Sequence, residues 1–204
     1  ELFPKIREAA ARALALNPRC FQAHTAMGVL KLFHDWQPQE AEVELDRAFA
    51  LNPDDSFALD WKALLLVFTG RRAEALATAR RAMASDPLSL IGHIMLGQVL
   101  VYSERIDEGA RALEAALEIW PGAAQLHLWL GIAHGTANRP EEALAQWETG
   151  AELTRHLPHF DAFRGWGLIG IGRLEEARTI LRELGTRSRH EYVDPYDSFL
   201  ITLA

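Results

Sequence analysis

Residues 86–121 read DPLSLIGHIMLGQVLVYSERIDEGARALEAALEIWP, and the prolines that bracket them, Pro87 and Pro121, stand 34 residues apart. The second half of this stretch, Gly109 to Ile119, is rich in Ala and Leu at helical spacing and ends at Trp120-Pro121. Proline stops such a helix because it lacks the N–H donor and its ring clashes with the preceding turn. Upstream the same signal returns as Asn52-Pro53 and Asn17-Pro18, with proline spacings of 34 and 35. Each follows another Ala- and Leu-rich helical stretch: Ala9 to Leu16, Ala41 to Leu51 and Ala73 to Ala84. A period of this length is the signature of a stacked helical-repeat protein.

The period fixes a frame. A half repeat (1–20) leads into repeats 21–55, 56–89, 90–123, 124–157 and 158–191, and a partial repeat (192–204) follows. The first whole repeat carries one extra residue around Asp35-Trp36. Position 8 of the frame holds Gly28, Ala63, Gly97, Gly131 and Gly165, and position 20 holds Ile6, Ala41, Ala75, Gly109, Ala143 and Ala177. Position 27 holds Ala13, Ala48, Ala82, Ala116 and Gly150, then departs with Leu184. Small residues at fixed phases let helix backbones approach closely. Larger residues share position 24, namely Leu45, Leu113, Trp147 and Leu181. Position 7 departs with Lys62 and Arg164, and Arg155 stands where the fourth repeat should have its proline.

This pattern resembles the tetratricopeptide-repeat family along the whole chain. The resemblance implies an all-α fold, a right-handed α-solenoid of antiparallel helix pairs forming a single array over 1–204. Two strings, Phe33-His34-Asp35-Trp36 and Tyr192-Val193-Asp194-Pro195-Tyr196-Asp197, resemble the repeat arrays of bacterial signalling proteins. In those proteins such an array follows a winged-helix, cyclase or kinase domain. The chain opens on Glu1 and closes on the apolar Leu200 to Ala204, which is read as a stretch of a longer protein.

Composition agrees with helix: 32 Ala and 30 Leu face 25 Val, Ile and Thr combined. A formal charge of −7 lacks the cationic surplus that phosphate backbones require, so no nucleic-acid partner is expected. The longest apolar run, Ala63 to Phe68, is far short of a membrane span, and a cytoplasmic location is expected. A single cysteine excludes an internal disulfide and a Cys-based zinc cluster.

The residues that could carry chemistry have structural readings. Gly165-Trp166-Gly167-Leu168-Ile169-Gly170 spells the dinucleotide fingerprint, but that fingerprint needs a strand before it and a helix opening on it. Here Phe160 to Arg164 reads as helix, so the Gly165–Gly172 cluster is expected to loosen a helix pair. Cys20, with His24 one turn on, has no orienting acid or oxyanion hole in view. His24, His93 and His127 share position 4, too far apart across stacked repeats to ligate one metal, and are read as packing residues. The acidic runs Glu40–Glu44, Glu141-Glu142 and Glu175-Glu176 fall where they oppose a helix dipole, and Arg71-Arg72 with Arg80-Arg81 forms a solvated face. No enzyme activity, cofactor or metal is expected; the alternative is an enzyme or nucleotide binder working through the glycine cluster or Cys20.

What is left is the outer face of each first helix, positions 2, 5, 9, 12 and 13, which the resemblance places along a concave ligand groove. In the second repeat these are Phe57, Asp60, Leu64, Val67 and Phe68, with Trp61 alongside; in the third, Ile91, Ile94, Gln98, Val101 and Tyr102, with Met95 alongside. The fourth gives Gln125, Leu128, Ile132, Gly135 and Thr136 beside Trp129, and the fifth contributes Trp166. The Lys and Asn set with which chaperone-binding members clamp a C-terminal carboxylate is absent from these phases. An apolar face of this size implies either a partner or cover by the adjacent helices of the array. The expected occupant is a helix or extended peptide from another protein, from a second copy, or from another domain of the same chain. The chain is thus expected to be the regulatory arm of a bacterial signalling protein.

Overall fold

A computed structural model describes residues 2–187 and contains eleven α-helices and no strand among them. The partial repeat 192–204, the Tyr192–Asp197 string and the end of the fifth repeat lie outside the described residues. The chain divides into two compact units at Glu104/Arg105. The first unit holds α1 (Leu2–Leu16), α2 (Phe21–Phe33), α3 (Pro38–Leu51), α4 (Ser56–Phe68), α5 (Arg72–Ser85) and α6 (Leu90–Tyr102). The second holds α7 (Ile106–Ile119), α8 (Ala124–Thr136), α9 (Pro140–Leu153), α10 (Pro158–Gly170) and α11 (Leu174–Arg187). Within each unit short connections return each helix antiparallel to its predecessor. In the first unit α2 packs on α3, α4 on α5, and α4 on α6; in the second α8 packs on α9 and α10 on both α9 and α11.

Two kinds of turn alternate. The proline turns are four-residue β-turns with proline at the second position, its preferred place because the ring presets φ. Cys20 N–H donates to Asn17 O at 3.0 Å, Ser89 N–H to Asp86 O at 3.2 Å and Ala123 N–H to Trp120 O at 3.1 Å. Where Arg155 replaces the proline, the chain turns instead through two left-handed residues, Arg155 at φ 53° and His156 at φ 59°. The turns inside a helix pair each place one residue left-handed: Trp36, Gly70, Glu104, Asn138 and Gly172. The next amide then reaches back over the helix end, Arg71 N–H to Leu66 O at 2.8 Å and Arg139 N–H to His134 O at 2.9 Å. The extra residue of the first repeat lies in this turn, where four residues join α2 to α3 and three join α4 to α5.

The small-residue phases form the seams. Ala41, Ala48, Ala75, Ala82, Ala116 and Ala143 are all at most 1% exposed. At two position-8 glycines any side chain would collide: a Cβ on Gly28 would stand 2.7 Å from Leu45 Cγ, and one on Gly131 2.4 Å from Trp147 Nε1. The charged departures at position 7 are ion-paired, Lys62 to the preceding repeat and Arg164 within its own helix. Lys62 on α4 donates to Glu42 at 2.9 Å and Asp46 at 2.6 Å on α3, and Arg164 lies 3.7 Å from Asp161. The acidic runs at the starts of α3 and α11 are ion-paired as well as dipole-matched, through Lys31–Glu40, Arg173–Glu176 and Arg178–Glu175.

Candidate functional site

Among the described residues the first unit carries a chain of aromatic rings along α4. Phe57 meets Trp61 edge-on with ring centroids 5.9 Å apart, and Trp61 meets Phe33 of α2 at 5.4 Å. Phe33 meets Phe68 at 6.1 Å, and Phe68 meets Tyr102 of α6 at 5.5 Å. Helical spacing places Phe57, Trp61 and Phe68 within reach of one face of α4, and the neighbouring first helices supply the rings between. Phe57, Phe68 and Tyr102 remain 39–49% exposed. At the C-terminal end of α4 this chain borders an apolar cavity of about 370 Å³, lined by Leu32, Phe33, Trp36, Pro38 and Phe68.

The face proposed from helical phase is only partly open. Leu64, Met95, Gln98 and Leu128 are buried, while Trp61, Ile94, Trp129 and Ile132 are half-buried. Positions 5 and 9 are closed over because the first helices of adjacent repeats, such as α4 and α6, lie against each other. Positions 2 and 13 look outward, which leaves Phe57, Ile91, Phe68 and Tyr102 as the open stripe of the first unit. In the second unit Trp166, 46% exposed, stacks on the buried Trp147 at 5.8 Å and lies 6.1 Å from Phe163, which in turn meets His159 at 5.2 Å.

Two residues of the first unit escape a reading by repeat phase. Trp36 is 80% exposed and held left-handed at φ 55°, an arrangement that costs a residue with a side chain about 1–2 kcal/mol. Only the one-residue insertion hinted at it. Asp60, at position 5 of α4, is 1% exposed and its Oδ1 has no hydrogen-bond partner. Burial, and then the negative charges of Asp55 and Asp86, push its carboxyl up to about 7. Beside it, the Trp61 indole N–H is also buried without an acceptor.

The other candidates resolve into structural parts. His24, His93 and His127 each donate Nε2–H to the carbonyl of the preceding turn's proline, Pro18, Pro87 and Pro121, at 3.1, 3.1 and 3.3 Å. At position 4 they are buried or half-buried, as packing residues would be, and they also fasten the turn. Gly165, Gly167 and Gly170 all lie inside α10, which begins at Pro158, so no helix N-terminus opens on them; a Cβ on Gly167 would stand 2.9 Å from Trp147. Cys20 precedes α2, and its Sγ faces Gln22 Oε1 at 3.5 Å. Asp161, buried in α10, gathers His156 at 2.9 Å and Arg187 at 3.3 Å beside a polar cavity of about 340 Å³. Among the described residues no three His, Cys, Asp or Glu side chains are grouped to hold a metal ion, and no helix is long and apolar enough to cross a membrane.

Comparison with known proteins adds three findings. Residues 94–158 match the family model described as tetratricopeptide repeat. No curated protein is matched by sequence. Among solved structures, a thermophilic tetratricopeptide-repeat protein of Thermus thermophilus is 22% identical, covering 84% of this chain and 93% of that one at a TM-score of 0.74. PilW, a type IV pilus biogenesis factor, is 15% identical over 93% of this chain and 87% of its own, also at 0.74. The Cut9–Hcn1 hetero-tetramer of the APC/C is 14% identical over 93% of this chain and 38% of that chain, at 0.78. At these identities the likeness speaks for the fold alone.

Proposed function

We propose that this chain, whose residues 94–158 match the tetratricopeptide-repeat model and whose fold is that of solved tetratricopeptide-repeat proteins, is a non-catalytic scaffold that holds a helix or extended peptide against the aromatic stripe of its first unit. The observation that carries this reading is Trp36: a large apolar ring kept in water, on a disfavoured backbone, at the rim of an apolar cavity shared with Phe33 and Phe68. Backbone strain of this kind persists where function retains it, and contiguous exposed apolar surface marks interaction sites. Phe57, Trp61, Phe68, Tyr102 and Ile94 form the contact surface of the first unit; Trp129, Ile132 and Trp166 offer a second, separate one. Leu64, Met95, Gln98 and Leu128 support these surfaces from beneath. A neighbour of the same fold is seen in a hetero-tetramer with another protein, which supports a protein partner. We place the chain in the cytoplasm as the regulatory arm of a bacterial signalling protein, on its resemblance to the arrays of such proteins.

The test begins with a random peptide-display library selected on the whole chain, followed by calorimetric titration of the recovered peptides. Phe68→Ala and Trp36→Ala are expected to weaken binding about tenfold or more, since each buried ring contributes roughly 1.5–3 kcal/mol. Far-UV circular dichroism should stay unchanged, because both side chains face solvent. Binding that is indifferent to both substitutions, or lost together with helicity, would remove the stripe as the site. Sedimentation of the free chain distinguishes self-association from capture of a foreign segment.

A further inference from the structure

Near its N-terminal end α4 buries a carboxyl group for which the protein supplies no counter-charge. Asp60 is buried with an oxygen unpartnered, and the charges acting on it, Asp55 and Asp86, have its own sign. The cations of the adjoining helices are engaged elsewhere: Lys62 with Glu42 and Asp46, Arg72 with Glu104, and Arg81 with Asp54 and the Pro53 carbonyl. A buried carboxylate without a counter-charge is among the least favourable arrangements in a fold. Asp60 lies three residues after Phe57 on α4, so an aromatic ring, whose π face attracts cations, neighbours it on the same side of the helix. Phe68, at the apolar cavity, is eight residues further on, about 12 Å along the helix axis. Roughly four residues of extended chain cover that distance.

Resting on the interaction reading above, we propose that the segment bound by the first unit is a basic–apolar peptide. A Lys or Arg lies over the Asp60 end of the stripe, where that buried charge attracts it, and a bulky apolar side chain about four residues away fills the cavity bounded by Phe33, Trp36 and Phe68. The aromatic stripe supplies affinity, and Asp60 sets the charge that is admitted.

The experiment is the same random display library selected in parallel on the wild-type chain and on Asp60→Asn. The wild-type pool should be enriched in Lys or Arg about four residues from Trp, Phe or Leu; the Asp60→Asn pool should keep the apolar residue and lose the basic one. Changing that Lys or Arg to Met in a selected peptide should weaken wild-type binding about tenfold and leave Asp60→Asn binding unaffected, as a double-mutant cycle requires. A wild-type pool without basic enrichment, whose binding still depends on Phe68, would overturn the charge assignment and leave the scaffold reading standing. An Asp60→Asn pool as basic as the wild type would also overturn it. Pools indifferent to Phe68 would bring down both readings.

Discussion

At pH 8 the Asp60→Asn chain should melt several degrees above the wild type, and the gap should close as the pH is lowered to 4. In the folded chain the Asp60 carboxyl titrates near 7, against an ordinary value of 3.8, with burial as the main cause. The fold therefore prefers the neutral acid. The stability belonging to that preference is fully present below about pH 4, declines between 4 and 7, and is gone above 7. A shift of about three units corresponds to a ceiling of roughly 4 kcal/mol, and relaxation around the charge makes about 2 kcal/mol the working expectation. For a chain of this size that is about 4–8 °C at neutral pH and above. Thermal melts of both chains between pH 4 and 8 check it. An Asp60→Asn chain that kept the wild-type pH slope would assign the slope to another group.

Trp147→Ala should be the most destabilising single change in the second unit, by about 3–5 kcal/mol in chemical denaturation. The indole is 3% exposed, donates Nε1–H to Leu128 O at 3.1 Å, and stacks under Trp166. Its volume is accommodated by two glycines: a Cβ on Gly131 or Gly167 would stand 2.4 or 2.9 Å from the ring. Gly131→Ala should therefore lose about 1–3 kcal/mol by overpacking. Gly165→Ala, whose new Cβ meets nothing nearer than Leu181 at 3.5 Å, should gain up to about 1 kcal/mol from helix propensity. Combining Gly131→Ala with Trp147→Leu should recover part of the loss, because the smaller side chain occupies the same position in α3, α7 and α11. Additive effects would show that the two residues do not constrain each other.

Both members of that pairing stood out in the one-dimensional text, small residues at position 8 and mostly large ones at position 24; that Gly28 faces Leu45 and Gly131 faces Trp147 is a finding of the structure. Turns were equally legible, because proline and glycine dictate backbone geometry locally. The open surface was less so. A helical wheel treats each helix alone, whereas Leu64 and Gln98 are covered by neighbouring first helices that the wheel does not contain. Helix α4 offers little contrast between its faces, since eight of its thirteen residues are buried. Trp36 sits in an inserted turn residue, outside every phase of the frame. Asp60 stood in plain view at position 5, but lacking a partner is a property of three-dimensional surroundings. The histidines at position 4 announced a repeated role; only geometry shows that the role includes a bond to a carbonyl six residues back.

That bond makes the joints between successive pairs unequal. Ahead of α2, α6 and α8 the incoming turn is tied to the helix it precedes, whereas Leu59 in α4 offers no such donor and Asp161 in α10 carries an acceptor in its place. A stacked array behaves as a row of coupled spins, each pair stabilised by itself and by its nearest neighbours. The coupling is carried by different side chains at different joints: Arg81 takes the Pro53 carbonyl ahead of α4 and Arg187 takes the His156 carbonyl ahead of α10, each from the second helix of the pair that follows.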